Sequence, residues 1–131
     1  TVDCIATDHA PHTLAEKQSA TPPPGVIGLE TSLPLMLTAV QQNRLTLDRL
    51  IELMSTNPRR IFNLPQQPDT AVTVQLTPHT INNEMVQSKC GWTPFHGTEV
   101  AAKVQKVVLR GEVVFENGRV LAKPGSGKLL P

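Results

Sequence analysis

The spacing of the apolar residues changes once along this chain, at the segment Pro65-Gln66-Gln67-Pro68. Before that segment, apolar residues recur at intervals of three and four, the spacing of a helix that packs one face on a sheet. After it, apolar and polar residues alternate, which is typical of half-buried strands. The sequence therefore predicts an α/β chain in two parts, with helices in residues 1–64 and mostly strands in residues 65–131.

The first part opens on an apolar run that predicts a buried strand over residues 2–7. Asp8 follows this strand directly, and the Pro and Gly residues within 9–28 indicate a long loop. Long loops in compact domains are usually functional or disordered. Barrel enzymes hold their catalytic groups at the ends of buried strands and in the loops that follow them, and Asp8 is a carboxylate in such a position.

A helix with an apolar stripe is predicted over residues 29–40. Pro34 lies inside this stripe, and a helix tolerates it only if the first turn begins near Thr31 or Ser32. Without that start, the ring of Pro34 would kink the helix.

A second helix is predicted to begin after Thr46, a suitable N-cap residue. Asn57-Pro58 then indicates a fresh cap followed by Pro at the first position of a separate short turn. The predicted buried face of the second helix consists of Leu47, Leu50, Ile51 and Met54.

The second part contains a β-rich stretch over residues 100–109 and a strong hairpin signal further on. Asn117-Gly118 lies between two apolar runs, which predicts a type I′ turn. The composition of residues 123–128 is that of a linker.

The composition excludes several classes of protein. Twelve basic and eleven acidic residues give a net charge of +1, which argues against a nucleic-acid footprint or a polybasic membrane patch. The sequence has neither an apolar stretch of membrane-spanning length nor a signal-peptide pattern. Cys4 and Cys90 are far apart, which indicates two buried free thiols and suits a reducing cytosol.

Asp8 and His12 are the candidate functional residues in the loop. On the residues alone, Asp8 could bind a metal, act as a base or simply cap an element, and His12 could hold an anion or be an exposed loop residue. The chain has four His and neither a His-x-His nor a His-Glu-x-x-His motif. Because a hydrolytic metal site needs several ligands, we expect the chain alone to be inactive.

Six blocks in the chain resemble the dihydroorotases of the amidohydrolase superfamily, and the ordered set is a specific signal. The resemblance is greatest to the dihydroorotase domain of the multifunctional pyrimidine-synthesis protein of animals and protists. The blocks are Thr7-Asp8-His9-Ala10-Pro11-His12-Thr13, Pro22-Pro23-Pro24-Gly25, Gly28-Leu29-Glu30-Thr31, Asn57-Pro58-Arg59-Arg60-Ile61-Phe62, Trp92-Thr93-Pro94-Phe95 and Val107-Val108-Leu109-Arg110-Gly111-Glu112-Val113.

The resemblance implies the C-terminal portion of a (β/α)8 TIM barrel, followed by strands of a small β-sandwich. A complete barrel needs roughly 250 residues, so the chain is expected to be part of a longer one. Residues 1–64 would supply the last strand, the active-site loop and helices, and residues 65–131 a β-rich subdomain and the start of a linker. Strands from earlier in the protein would complete the sandwich, whose edges and apolar surface would otherwise be exposed. Trp92 is expected in the sandwich core or at its contact with the barrel.

The resemblance also implies a role for each site residue. Asp8 would be a ligand of one of two zinc ions and the general base, His12 would contact the substrate carboxylate, and backbone groups near Pro24 would close over the substrate ring. The reaction would be the interconversion of N-carbamoyl-L-aspartate and (S)-dihydroorotate, in de novo pyrimidine biosynthesis. The family's other metal ligands, and the Arg and Asn that hold its substrate, lie upstream of the Asp.

The implied assembly is a homodimer or larger oligomer in the cytoplasm. Carbamoyl-phosphate synthetase and aspartate transcarbamylase domains would be partners in the same polypeptide, and neither nucleic acid nor membrane is expected. Two alternatives stay open: a non-catalytic dihydroorotase-like scaffold, and another cyclic amidohydrolase of the hydantoinase or allantoinase type.

Overall fold

The computed structural model describes residues 2–129. Within them, α-helices come first along the chain and strands follow, with one short 3₁₀-helix (Asn83–Met85) among the strands, which confirms a mixed α/β chain. None of the helices in this range is both long and apolar enough to cross a membrane. The α-helices are α1 (Leu14–Lys17), α2 (Ser32–Gln41), α3 (Leu47–Ile51) and α4 (Asn57–Ile61). The strands are β1 (Ala71–Gln75), β2 (His79–Thr80), β3 (Glu99–Val100), β4 (Lys103–Leu109), β5 (Glu112–Glu116) and β6 (Arg119–Val120).

Helix α2 begins where Pro34 requires it to begin. Ser32 is the first helical residue, so Pro34 lies in the first turn, where its missing N–H removes no helical hydrogen bond. The hydroxyl of Thr38 donates to the Pro34 carbonyl at 2.8 Å and accepts the N–H of Ala101 at 2.9 Å. This side chain therefore joins α2 to the backbone that follows β3.

The predicted fresh cap at Asn57 is wrong, because the helix continues through it. Helix α3 passes into a π-helical turn, Glu52–Thr56, and then into α4. The N–H of Asn57 donates to the Glu52 carbonyl, five residues back. Pro58 has no N–H and its ring crowds the carbonyl four residues back, which accounts for the wider turn before it.

The predicted strand over residues 2–7 does not form within the described residues. A parallel strand needs neighbouring strands on its edges, and the segment meets a helical turn instead. The N–H of Ile5 donates to the Leu53 carbonyl at 3.0 Å, and the Asn57 side-chain amide donates to the Asp3 carbonyl at 2.8 Å.

Two members of the predicted buried face of α3, Leu47 and Ile51, are about half exposed, at 51% and 50%.

The strands form a four-stranded antiparallel sheet in the order β1-β4-β5-β6, and β2 and β3 form a separate pair. Asn117 and Gly118, with φ of 49° and 82°, form the tight turn between β5 and β6, which confirms the predicted hairpin. Arg110 and Gly111, with φ of 51° and 81°, form a second such turn between β4 and β5 that was not predicted.

The buried core is small and lies where the helices meet the strand pair. Its apolar members are Ile27, Leu50, Leu53, Ile81, Val100, Ala101 and Ala102. One face of the four-stranded sheet and the start of α2 border a cleft of about 880 Å³. Apolar side chains from β4 and β5, among them Val104, Val107 and Phe115, line this cleft.

Candidate active site

Asp8 lies at a sharp change of direction of the backbone. Its φ is 46°, in the left-handed region that Asp adopts more readily than most non-glycine residues. The side chain of Asp8 is exposed, and the chain continues directly into the loop. This places a carboxylate at the surface. The backbone next to it is held by the pairing of residues 7–10 with residues 25–28.

Residues 7–10 and 25–28 lie side by side. His9 and Val26 form an isolated parallel bridge, and the N–H of Ala10 donates to the Val26 carbonyl at 2.9 Å. Two glycines make the close approach possible. A Cβ at Gly25, whose φ is 98°, would lie 2.5 Å from the Cβ of Ala10, and a Cβ at Gly28 would lie 3.1 Å from that of Thr7.

His9 stabilises the same pair of segments through its ring. The Gly28 N–H donates to His9 Nδ1 at 3.2 Å, so the proton of a neutral ring is on Nε2. The ring of His9 therefore connects the residue after Asp8 to the end of the loop.

Helix α1 follows His12 and was not predicted, although its signal is in the sequence. Thr13 and Glu16 form a capping box: Thr13 Oγ1 accepts the Glu16 N–H at 3.2 Å, and Glu16 Oε2 accepts the Thr13 N–H at 2.6 Å. The hydrogen bond from the Thr13 backbone, then that from its hydroxyl, and then the nearby His12 lower the pKa of Glu16. His12 Nδ1 lies 4.0 Å from Glu16 Oε2, an ion pair only when the imidazole is protonated.

The end of α1 holds the segment that contains Pro24. Lys17 Nζ donates to the Pro23 carbonyl at 2.6 Å and to the Gly25 carbonyl at 3.0 Å. Helix α1 therefore connects two predicted site residues. His12 lies two residues before its first residue, and its last residue, Lys17, binds the carbonyls on both sides of Pro24.

A residue from the β-rich part also reaches this loop. Trp92 Nε1 donates to the His12 carbonyl at 2.7 Å. The pairing joins residues 80 positions apart. The spacing of apolar residues along the sequence does not indicate such a contact.

The residues predicted for the site lie at the surface and line neither of the two clefts. A cleft of about 350 Å³ lies beside α1, between Pro11, Thr13 and Glu16 on one side and residues 88–90 on the other. The cleft of about 880 Å³ is bordered by the sheet.

A bound metal fits the chemistry of this site only in part. Within residues 2–129, no group of three or more His, Cys, Asp or Glu side chains is placed to hold a metal ion. An exposed carboxylate is a suitable ligand for a divalent cation. Asp8 can therefore supply one ligand to a metal ion, and the other described residues do not complete a set of three. Both cysteines are free, and both are half-buried rather than buried as expected.

Comparison with known proteins shows that the chain is similar to a portion of dihydroorotases and of multifunctional proteins. Multifunctional protein pyr1-3 of Dictyostelium discoideum is 58% identical over 127 residues, which are 96% of this chain and 6% of that protein. The dihydroorotase of Pyrococcus abyssi is 39% identical over 136 residues, covering 98% of this chain and 33% of that protein. The chain thus spans a third or less of the length of these relatives. No protein-family model matches it.

Two solved structures have coordinates similar to those of this chain. The inactive dihydroorotase-like domain of a Chaetomium thermophilum CAD-like multifunctional protein is 30% identical, with a TM-score of 0.68, over 87% of this chain and 32% of that one. An L-hydantoinase from Arthrobacter aurescens is 33% identical, with a TM-score of 0.71, over 76% of this chain and 24% of that one.

These matches confirm the resemblance found in the sequence. Over nearly all of its length, the chain is a homologue of a portion of the dihydroorotases and of the multifunctional proteins that contain a dihydroorotase domain.

Proposed function

We propose that the chain is the C-terminal portion of a zinc-dependent dihydroorotase that interconverts N-carbamoyl-L-aspartate and (S)-dihydroorotate. The observation that carries the proposal is the structure around Asp8. The residues with proposed roles, Asp8, His12 and Pro24, lie in two segments that are joined by the Ala10–Val26 hydrogen bond and by Lys17. The 58% identity to pyr1-3 over the same residues supports it.

Asp8 would be a zinc ligand and the proton carrier of the reaction. Bound zinc would supply a Lewis acid and make water a stronger nucleophile at neutral pH. The Asp8 carboxylate would accept a proton from the water that attacks the ring amide carbon. It would then return this proton to the ring nitrogen that leaves, which one carboxylate can do if both atoms are within hydrogen-bond reach.

His12 would bind the carboxylate of the substrate. A protonated imidazole donates a charge-assisted hydrogen bond to a carboxylate, and the side chain of His12 is 31% exposed and thus accessible. Backbone groups near Pro24 would contact the ring of the substrate from the other end of the loop. The tie from Lys17 to the carbonyls of Pro23 and Gly25 supports this role, because it holds that backbone in one position.

The remainder of the enzyme would come from the rest of the protein. We propose that residues 1–64 complete a (β/α)8 barrel whose upstream part supplies the other ligands of two zinc ions. The segment 2–7 would become a barrel strand once its neighbours are present. Upstream strands would cover the apolar sheet face that borders the cleft of about 880 Å³ and complete a small sandwich.

The assembly that we propose is a homodimer or larger oligomer in the cytosol. The similarity to pyr1-3, a multifunctional protein, supports further domains in the same polypeptide, which we propose to be carbamoyl-phosphate synthetase and aspartate transcarbamylase. The two free thiols, Cys4 and Cys90, suit a reducing compartment.

Two other functions have specific support. The 30% identity to an inactive dihydroorotase-like domain favours a scaffold without catalysis. The 33% identity to an L-hydantoinase favours hydrolysis of another cyclic amide. Asp8 and His12 are both present, which argues for catalysis and against a scaffold that has lost its site.

The test uses the complete dihydroorotase domain that contains this chain, purified with its zinc content measured. We expect bound zinc, turnover of dihydroorotate, and a loss of kcat of about a thousandfold in Asp8→Asn. The control is Asp48→Asn, which removes an exposed carboxylate in the first turn of α3 and should leave kcat unchanged. A zinc-free, inactive domain would support the scaffold, and turnover of hydantoins alone would support the hydantoinase alternative.

A further inference from the structure

The indole of Trp92 and the backbone of His12 form the one direct hydrogen bond that we find, in the described residues, between His12 and the β-rich part. Trp92 Nε1 donates to the His12 carbonyl at 2.7 Å, a short distance for a bond of this type. Trp92 is half-buried, so the bond is partly shielded from competing water. It acts on the main chain of His12 and leaves the imidazole available for a ligand.

The backbone just before Trp92 is held by several hydrogen bonds, so the position of Trp92 is restricted. Gly91, with φ of 68°, closes a turn in which its N–H donates to the Ser88 carbonyl at 3.0 Å. The Glu30 carboxylate accepts the N–H groups of Gln87 at 2.6 Å and of Ser88 at 3.0 Å. Because Glu30 lies two residues before α2, these bonds connect the turn that precedes Trp92 to the helical part.

The position of Trp92 matters because His12 lies between two constrained residues. The ring of Pro11 fixes the φ of the residue before His12, and Thr13, the residue after His12, is the N-cap of α1. A donor on the carbonyl between them fixes the peptide plane, and with it the direction of the His12 side chain. Recognition of a ligand by a single imidazole depends on such support from surrounding groups.

We propose that Trp92 is a positioning residue for substrate binding, which sets the direction of His12 through the His12 carbonyl. This inference rests on the proposed role of His12 as the partner of the substrate carboxylate. It assigns the β-rich part a share in the active site, beyond completing the fold.

The experiment is a double-mutant cycle in the complete zinc-loaded domain, assayed with dihydroorotate. Trp92→Phe keeps an aromatic ring and removes the N–H. We expect it to raise KM about five- to tenfold, the effect of one lost hydrogen bond, with kcat within about twofold of the original. His12→Ala should raise KM further, and Trp92→Phe should add nothing in that background.

The matched control is Phe95→Leu, which reduces an aromatic side chain three residues away. The Phe95 backbone bonds to Thr93 Oγ1, and the ring has no role in our proposal. We expect this variant to lose stability at least as much as Trp92→Phe, while KM stays within about twofold. A purely structural role for Trp92 would instead make KM follow stability in both variants.

Each remaining outcome decides a specific point. An unchanged KM in Trp92→Phe, together with a raised KM in His12→Ala, overturns the role of Trp92 and leaves the proposed function in place. An equal effect of Trp92→Phe with and without His12 also overturns it. An unchanged KM in His12→Ala removes both the carboxylate contact and the role of Trp92, whereas an inactive starting domain rejects the proposed function itself.

Discussion

The ammonium nitrogen of Lys17 lies 2.6 Å from the carbonyl oxygen of Pro23. The same nitrogen also donates to the Gly25 carbonyl, so one side chain holds the backbone on both sides of Pro24. Bonds from a charged donor are stronger than those between neutral groups. The side chain of Lys17 is half-buried, which reduces competition from water. A loop rich in proline and glycine is thereby fixed near its C-terminal end by the last residue of α1.

Replacing Lys17 should loosen this loop and weaken substrate binding. Lys17→Met keeps the length of the side chain but removes the donors, so we expect faster amide exchange in residues 18–26 of the complete domain. If backbone groups near Pro24 contact the substrate, KM should rise severalfold, by an amount typical of one or two lost hydrogen bonds. Hydrogen exchange read by mass spectrometry and steady-state kinetics measure the two effects.

Two variants check that the charge and the donors are responsible. Lys17→Arg can still donate to both carbonyls and should retain most of the exchange protection. Lys123→Met removes an exposed lysine that follows β6 and should change neither quantity. Equal exchange rates in Lys17→Met and the unmodified protein would show that the loop does not depend on this contact.

Gly25 should not accept even the smallest side chain. Ala at this position would lie 2.5 Å from the Cβ of Ala10 and would have to adopt a φ of 98°. Gly111, with φ of 81°, is the matched control, because nothing lies within 4 Å of a Cβ placed there. We expect Gly111→Ala to lower the free energy of unfolding by about 1 kcal/mol, because of the backbone strain alone. Gly25→Ala should lower it further and should speed hydrogen exchange of the Ala10 amide. Equal decreases in the free energy of unfolding, measured in urea for the two variants, would contradict the predicted clash with Ala10.

The elements that could be predicted are those whose signals are local. Pro34 fixes the start of α2 because its ring is tolerated only in the first turn, and Asn117-Gly118 suits a turn that needs two positive φ angles. The turn at Arg110-Gly111 has the same shape, but Arg is not a residue that indicates it. The capping box from Thr13 to Glu16 was a readable signal and was missed.

The parts that could not be predicted depend on distant residues. An apolar run such as 2–7 becomes a strand only beside other strands, and here the partner of Ile5 is the helical carbonyl of Leu53. The contact of Trp92 with His12 joins two segments that have no common periodicity. The sequence therefore identified the loop and its candidate residues, while the groups that hold this loop in place required the structure.

Glu16 should make the start of α1 sensitive to acid. Its pKa is lowered from the ordinary value of 4.5, first by the Thr13 backbone N–H, then by the Thr13 hydroxyl and by His12. Because a carboxyl with a lowered pKa favours the folded state when ionised, its contribution is complete above pH 4.5. The contribution is lost as the pH falls through the folded-state pKa.

A carboxyl titration followed by NMR tests whether the pKa of Glu16 is lowered. In the complete domain with carbon-13-labelled glutamate, we expect one carboxyl signal with a midpoint below 4.5 that disappears in Glu16→Gln. The variant keeps an amide oxygen that can accept the Thr13 N–H, so the capping box should persist but lose its pH dependence. A midpoint at or above 4.5 would mean that the hydrogen bonds from Thr13 do not stabilise the ionised carboxylate.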